Sequence, residues 1–208
     1  MRILAVSDVV ADAEYQPGVR PSPPIDLVLS CGDLPYEYLD YVATRLGVPL
    51  YAVHGNHDAP PERSDDPEIR VWWNGIDLHA RIRNIGGVLV AGLAGSPRYS
   101  EGPYQFSEGD LRLAVLRMIP SLVFNKVRRG RWLDVLVTHA PPRGIHDHPD
   151  RAHRGFETLR WFLRVFRPRY HLHGHCHVYD GRTVTRTRFH DTIVLNAYGA
   201  RELELDAR

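Results

Sequence analysis

Short apolar runs alternate with amphipathic stretches along this chain, an alternation typical of α/β proteins. Strands are predicted at residues 2–7, 26–30, 50–53, 88–92, 134–138, 170–173, 183–188, 192–196 and 202–205. Helices are predicted at residues 36–46 and 156–166 and in the apolar periodic segment after Ser107. Because the last three strands follow one another at short intervals, we expect them to form an antiparallel meander.

Local signals refine this outline. Ser107 and Asp110 precede an apolar periodic run, which resembles a capping box and predicts a helix start. Pro120 is expected to kink or divide that helix, because proline removes a backbone donor. Residues 59–70 contain three prolines and mixed charge, so they are predicted to be a polar loop. The tryptophans at 72 and 73 follow that loop, and both core packing and a lid remain open for them.

Size and composition indicate one globular domain spanning residues 1–208. Apolar residues make up 43% of the 208 residues and charged residues 25%, which suits a folded chain with a sizeable core. The formal net charge of +1 does not suggest a general nucleic-acid or membrane binder. The first residues lack the pattern of a signal peptide, and two cysteines cannot form a disulfide framework. We therefore expect a cytoplasmic protein.

Several predicted strands end in a side chain that can bind a metal ion. These side chains are Asp8, Asp33, Asn56 with His57 and Asp58, His139, and His175 with His177. In open α/β sheets, ligands gather outside the carboxyl ends of the strands, so residues distant in sequence can converge there. Carboxylate, amide and imidazole ligands suit Mn²⁺, Fe or Zn²⁺. For residues 174–177 alone, a Cys/His zinc clip is the alternative, although the chain offers no second pair of suitable spacing.

The ordered combination D…GD…GNHD…H…GHxH resembles the calcineurin-like metallophosphoesterase superfamily over nearly the whole chain. The resemblance implies two mixed β-sheets packed as a sandwich flanked by helices, with a two-metal site at one edge. It implies a bridging role for Asp33 and a catalytic role for His57, which Asp58 would orient. The remaining metal ligands would be Asp8 and His177 for the first ion, and Asn56, His139 and His175 for the second.

One position departs from the family pattern. The first motif of the family is Asp-x-His, and here it reads Asp8-Val9-Val10. Valine cannot coordinate a metal, so we expect a weakened first site, for which Asp12 or Glu14 could otherwise supply a ligand.

Other residues have two interpretations each. Arg98 follows a predicted strand, where it either binds a substrate phosphate or lies solvated in a turn. The loop after His139 is interpreted as a substrate rim that includes Arg143, Asp147, His148 and His153, or as plain polar surface. The other histidines near the motifs, His54, His171 and His173, are expected to be structural.

These patterns predict hydrolysis of a phosphate ester, mono- or diester, by a metal-activated water at a dinuclear site. The expected substrate is small and phosphorylated, for instance a nucleotide, and no membrane partner is expected. The alternative is a catalytically weak metal-binding scaffold of the same fold, used for protein interaction. A nuclease would need a basic stripe beside the site, and the near-neutral net charge argues against one, although a local patch could be supplied by Arg117, Lys126, Arg128, Arg129 and Arg131.

Overall fold

A computed structural model describes residues 1–10, 24–63 and 67–206. Its strands are β1 (Arg2–Ser7), β2 (Leu27–Ser30), β3 (Leu50–Ala52), β4 (Ile82–Ile85), β5 (Val88–Leu93), β6 (Ser96–Pro97), β7 (Gln105–Phe106), β8 (Val135–Thr138), β9 (Tyr170–His173), β10 (Arg186–Phe189), β11 (Thr192–Asn196) and β12 (Gly199–Glu204). Its helices are α1 (Tyr36–Leu46), α2 (Pro67–Ile76), α3 (Glu108–Arg129) and α4 (Glu157–Phe166), with a short 3₁₀ turn at Pro61–Arg63.

Two mixed sheets carry the fold, as predicted. The first has the order β12-β1-β2-β3, with β1, β2 and β3 parallel and β12 antiparallel to β1. The second has the order β10-β11-β9-β8-β5-β4, with antiparallel strands at its two edges. A two-stranded pair, β6 and β7, lies beside them. The parallel strands bring the carboxyl ends of distant segments to a shared edge of each sheet.

Alternating side chains build the layers. On β1, Ile3 and Ala5 pack in the core between the sheets, together with residues of β5 and β8 such as Val90 and Val137. On the same strand, Leu4 and the next alternate residue face α1 and α2. This period of two is that of a strand buried on both faces. A further core joins the second sheet to α3 and α4. The chain is therefore a sandwich of two sheets flanked by helices.

One local expectation was wrong. Residues 67–70 are not loop but the start of α2, since Pro67 takes the first helical position and apolar residues recur from Ile69 onward at helical spacing. Trp73 is buried against α1 and the first sheet, which settles it as a core residue. Of the two outcomes expected at Pro120, division is excluded, because α3 is continuous through this residue, which lies on the exposed side.

The predicted meander was correct for only two of its three strands. β10 and β11 are antiparallel neighbours, but β12 leaves them and pairs with β1 in the other sheet. Gly199, at φ +74°, stands where the chain crosses between sheets. Leu203 and Leu205 then fill the core between the sheets, so burial outweighs local pairing. Among the described residues, no helix is long and apolar enough to cross a membrane.

Candidate metal centre

Four side chains from both sheets converge on one point, which is marked by the Nε2 atom of His139. This atom lies 3.0 Å from Asn56 Oδ1, 3.2 Å from Asp33 Oδ2 and 3.1 Å from His175 Nδ1. Atoms that bind one ion at about 2.1 Å lie roughly 3.0–3.5 Å from each other. The four residues predicted to hold the second ion therefore have the spacing of a shared coordination sphere.

Backbone carbonyls fix the tautomers of both imidazoles. His139 Nδ1 lies 2.8 Å from the carbonyl oxygen of Cys31, and His175 Nε2 lies 2.8 Å from that of Ala152. A carbonyl can only accept, so each of these nitrogens donates its proton outward. The two remaining nitrogens present lone pairs to each other at 3.1 Å. Only a cation or a shared proton satisfies both, so the donor set fits a metal ion.

The residues predicted for the first ion lie next to this group. Ligand atoms of Asp8, Asp33 and His139 all lie within 4.8 Å of one another. His177 Nε2 is 3.8 Å from Asp8 Oδ1, and Asp8 also accepts hydrogen bonds from the backbone N–H of His175. Asp33 thus belongs to both sets of neighbouring ligand atoms, which is compatible with the predicted bridging role. The acids considered as substitutes for Val10, Asp12 and Glu14, lie outside the described residues.

Three of these residues have left-handed backbone conformations. Asp8, Asp33 and His175 have φ of +66°, +57° and +66°. Such a conformation costs a non-glycine residue about 1–3 kcal/mol, and it persists where the surrounding structure enforces it. Each of these residues directly follows a strand end or a motif glycine, and the sharp turn aims its side chain into the centre.

The glycines of the motifs allow these turns to lie close to the side chains of neighbouring turns. A Cβ on Gly55 would lie 2.0 Å from Asp33 Oδ1, and one on Gly174 would lie 1.9 Å from the Ser7 hydroxyl and 2.5 Å from Asp8 Oδ2. Any side chain at either position would displace a predicted ligand. The glycines of GNH and GHxH are therefore part of the site.

His57 lies at the edge of the centre and is exposed. Its backbone N–H donates to Asp33 Oδ1 at 2.8 Å, and its ring is not among the converging donors. It lines a cleft of about 310 Å³ together with Asp33, Tyr36 and Glu37. A side chain so placed can act on a substrate while leaving the metal ligands in place.

Asp58 does not make the contact expected of it. Its carboxylate accepts hydrogen bonds from the N–H of Gly55 at 2.8 Å and of Asp33 at 3.2 Å, and it lies 3.6 Å from His54 Nδ1. No hydrogen bond or ion pair to the His57 ring occurs within the described ranges. Asp58 instead holds the two motif turns together, because its oxygen is directed back to the backbone.

Comparison with known proteins identifies the family of this chain. The family model described as calcineurin-like phosphoesterase matches residues 1–179. The chain belongs to this family. A Caenorhabditis elegans protein, UPF0046 protein T07D4.2, is 29% identical over 106 residues, which cover 50% of this chain but only 24% of that protein.

Two solved structures show the same fold as this chain. The protein TT1561 of Thermus thermophilus has a TM-score of 0.65 at 15% identity, over 95% of this chain and 89% of that one. A phosphopantetheinyl hydrolase from Mycobacterium tuberculosis has a TM-score of 0.53 at 13% identity, over 94% and 88% of the two chains. The family binds divalent metals, and the group of Asp8, Asp33 and His139 is a candidate for one such site.

The charges in the candidate site are arranged around His139. Burial lowers the pKa of His139, but the neighbouring carboxylates of Asp33 and Asp8 outweigh burial and raise it to about 9. Burial, and next the charge on His139, lower the pKa of His175 to about 3. Burial would raise the pKa of Asp33, yet His139 outweighs it and lowers that pKa to about 2. A proton on His139 therefore supplies the positive charge that a bound ion would otherwise supply.

Tyr99 is a site residue that sequence reasoning missed. Its hydroxyl accepts a hydrogen bond from Asn56 Nδ2 at 3.0 Å, which leaves Asn56 Oδ1 directed at His139. Gln105 holds the segment by accepting the N–H of Tyr99 at 3.0 Å. The pairing of β6 with β7 places Tyr99 beside Asn56, and no local sequence motif predicts this contact.

We expect Tyr99→Phe to weaken metal binding at the second site by about 10- to 100-fold, because a partner that orients a ligand is lost. Isothermal titration of the metal-stripped protein measures this. Tyr51→Phe, which removes a hydroxyl on β3 instead, is the matched control. Equal affinities in both variants would show that Asn56 needs no such support.

Arg98, the neighbour of Tyr99, is directed elsewhere. Its guanidinium is 3.5 Å from the carbonyl oxygen of Gln105 and 3.6 Å from Asp110 Oδ2, and it is largely exposed. It lines a separate cleft with His79 and Arg117. The interpretation of Arg98 as a phosphate ligand is therefore not supported, because adjacent residues of an extended segment face opposite ways.

The loop after His139 flanks the centre. The Ala152 carbonyl holds His175, and the His153 ring lies 5.3 Å from the His175 ring. His146, Asp147 and His148 line a cleft of about 330 Å³ that also includes His177 and Cys176. Arg143 lies 3.9 Å from Asp147 in an ion pair. The residues predicted as a rim thus surround one side of the predicted ligands.

Two buried histidines form hydrogen bonds beside the predicted ligands, and a third packs between aromatic rings. His173 Nδ1 lies 3.0 Å from the carbonyl oxygen of Gly174, and its Nε2 lies 3.0 Å from His146 Nδ1. His171 Nε2 contacts the Thr138 hydroxyl at 2.8 Å. His54 lies between the rings of Trp73 and Tyr104. All three histidines have the packing expected of structural residues.

We expect Val10→His to tighten the first metal site about tenfold or more, since an added imidazole bond worth about 1.4 kcal/mol changes affinity tenfold. Titration of the stripped protein with Mn²⁺ gives stoichiometry and affinity. Val9→His, with the adjacent and similarly exposed side chain, is the control. Unchanged stoichiometry and affinity in the Val10 variant would contradict the account of a weakened site.

Proposed function

We propose that this chain is a metal-dependent phosphoric ester hydrolase with a dinuclear site. The observation that carries the proposal is the convergence of Asp33, Asn56 and His175 on His139 Nε2, with both imidazole lone pairs directed at one point. Asp8 lies within 4.8 Å of Asp33 and His139, and His177 Nε2 is 3.8 Å from Asp8 Oδ1. The proposed ligands are therefore Asp33, Asn56, His139 and His175 for one ion, and Asp8, Asp33 and His177 for the other.

Two bound divalent ions, Mn²⁺, Fe or Zn²⁺, would activate a water and offset charge on the phosphoryl oxygens. Asp33 holds the two ligand groups together, and Asn56 is oriented by Tyr99. His57 donates a proton to the leaving oxygen, because it is exposed at the edge of the centre and is not needed as a ligand. Asp58 keeps the backbone of residues 55–57 in place.

The leaving group would lie in the cleft beside His57. That cleft is lined by Tyr36, Pro35 and the carboxylate of Glu37. Glu37 would repel an anionic leaving group, which favours esters of uncharged alcohols. The remainder of a small substrate, such as a nucleotide diester, would extend into the cleft on the His177 side. Cys31 and Cys176 are both unpaired and buried, which supports a reducing, cytoplasmic location.

The test is turnover by metal-stripped protein reloaded with Mn²⁺, Zn²⁺ or Fe²⁺ under anaerobic conditions. Substrates would be an aryl phosphodiester, an aryl phosphomonoester and a phosphopantetheinyl diester. The last is included because a phosphopantetheinyl hydrolase has the same fold. We expect turnover of at least the diester. Bound metal, measured by mass spectrometry, with no turnover of any ester would favour the scaffold function instead.

A further inference from the structure

Helix α3 is apolar on two opposite sides. One side is buried in the core against the second sheet, with Leu111, Val115, Met118 and Leu122. The other side faces solvent, and its members recur at helical spacing. We call it the outer stripe, and it consists of Leu113, Leu116, Pro120, Val123, Phe124 and Val127.

The side chains of the outer stripe are largely exposed to solvent. The exposed fraction is 59% for Leu116, 62% for Phe124 and 78% for Val127. Trp161 and Val165 on α4, 45% and 43% exposed, extend the apolar surface, and Leu116 and Trp161 line one cleft. A contiguous exposed apolar patch of this kind marks a contact surface.

Basic residues flank the outer stripe on both sides. At about 100° per residue, Arg112 lies along one border of the stripe, and Arg117 and Arg128 lie along the other. Within residues 1–10, 24–63 and 67–206, these arginines and Arg129 form no ion pair.

The acidic residues of α3 are occupied elsewhere. Glu108 accepts the N–H groups of Glu157 and Thr158 at the start of α4. Asp110 caps its own helix at Ser107 and lies 3.6 Å from Arg98. The stripe is therefore an apolar band whose borders on α3 itself are cationic, although Glu157 of α4 lines the cleft beside Leu116 and the net charge of the whole chain is only +1.

We propose that the outer stripe docks this protein on an anionic lipid surface. Apolar and aromatic side chains on one helix face enter the interface of a bilayer, and arginines beside them bind lipid phosphates. The stripe lies on the side of α3 opposite the core, so a flat surface can reach its full length.

Other occupants fit this face less well. A second copy of the chain would place two cationic borders against each other. A nucleic acid would pair with the arginines but would leave Phe124 and Val127 against phosphates. The expectation that the protein has no membrane partner rested on net charge, which does not report this local distribution.

The test is co-sedimentation of the full chain with vesicles. We expect binding to vesicles of phosphatidylcholine and phosphatidylserine, weaker binding as salt rises, and little binding to phosphatidylcholine alone. The triple variant Leu116→Ser, Phe124→Ser, Val127→Ser should reduce binding by roughly tenfold or more. The double variant Arg117→Glu, Arg128→Glu, which reverses the charge along one border of the stripe, should also reduce binding by roughly tenfold or more.

Matched controls change exposed residues of the same type elsewhere. Val71→Ser on α2 and Arg186→Glu on β10 should leave vesicle binding unchanged. The proposal is overturned if the protein does not bind anionic vesicles at low salt, or if both stripe variants bind them as well as the unmodified protein does.

Two further results would also overturn the proposal by assigning the stripe to another occupant. One is a concentration-dependent dimer in sedimentation velocity that the triple variant abolishes. The other is capture of a labelled acidic amphipathic peptide by protein that binds no vesicles. None of these readouts depends on metal content or on hydrolysis.

Discussion

The Asp33→Asn variant is expected to lose turnover by about 10³-fold or more, because the residue serves both predicted ions and metal charge stabilisation is worth several kcal/mol. Asp33 Oδ2 is 3.2 Å from His139 Nε2, while its Oδ1 holds the N–H of His57 at 2.8 Å. An amide has nearly the same shape but lacks the negative charge that holds two cations together. The loss should therefore appear in metal stoichiometry as well as in kcat.

The matched control for this variant is Asp191→Asn. Asp191 is an exposed carboxylate in the turn between β10 and β11, where it pairs with Arg167. It should keep full activity and metal content. If Asp33→Asn retained two bound ions and near-normal kcat, Asp33 would not bridge, and the two ligand groups would have to be independent sites.

The convergence of these side chains could be predicted because each of them follows the end of a strand. Asp8, Asp33 and His139 each lie just past a short apolar run, and such runs are recognisable because strands buried on both faces need them. His175 follows the strand Tyr170–His173, which itself contains two histidines. Parallel pairing then brings those ends together, whatever their separation in sequence. The glycines before Asp33, Asn56 and His175 also indicated the site, since only glycine leaves room for the neighbouring turns and ligands.

Contacts made by tertiary pairing were not predictable in the same way. Tyr99 reaches Asn56 only because the short strands β6 and β7 pair. The tautomers of His139 and His175 depend on carbonyls of Cys31 and Ala152, and no residue type encodes a carbonyl.

Composition misled in two further places. The charges and prolines of residues 59–70 hid the start of α2. The overall net charge of +1 gave no sign that arginines of α3 border an exposed apolar face of the same helix. Averages over a segment lose the periodicity that decides which face a residue occupies.

The His57→Ala variant is expected to lower kcat by about 10²–10⁴-fold on an alkyl phosphodiester and far less on a p-nitrophenyl ester. An alkoxide leaves poorly without a proton, whereas p-nitrophenolate needs little assistance. Metal content should stay unchanged, because the ring is not among the converging donors. The backbone N–H that binds Asp33 also survives in alanine. Parallel assays of both esters, with metal analysis of the same samples, measure the contrast.

His190→Ala, in an exposed turn remote from the motifs, is the control and should behave as the unmodified protein on both esters. The size of the contrast decides what His57 does. Equal losses on the two esters would mean that the ring stabilises the phosphoryl oxygens and does not protonate the leaving oxygen. An unchanged kcat on both would remove His57 from catalysis. The turn held by Asp58 would then serve only to place Asn56 and the N–H that binds Asp33, and the proton for the leaving group would have to come from water.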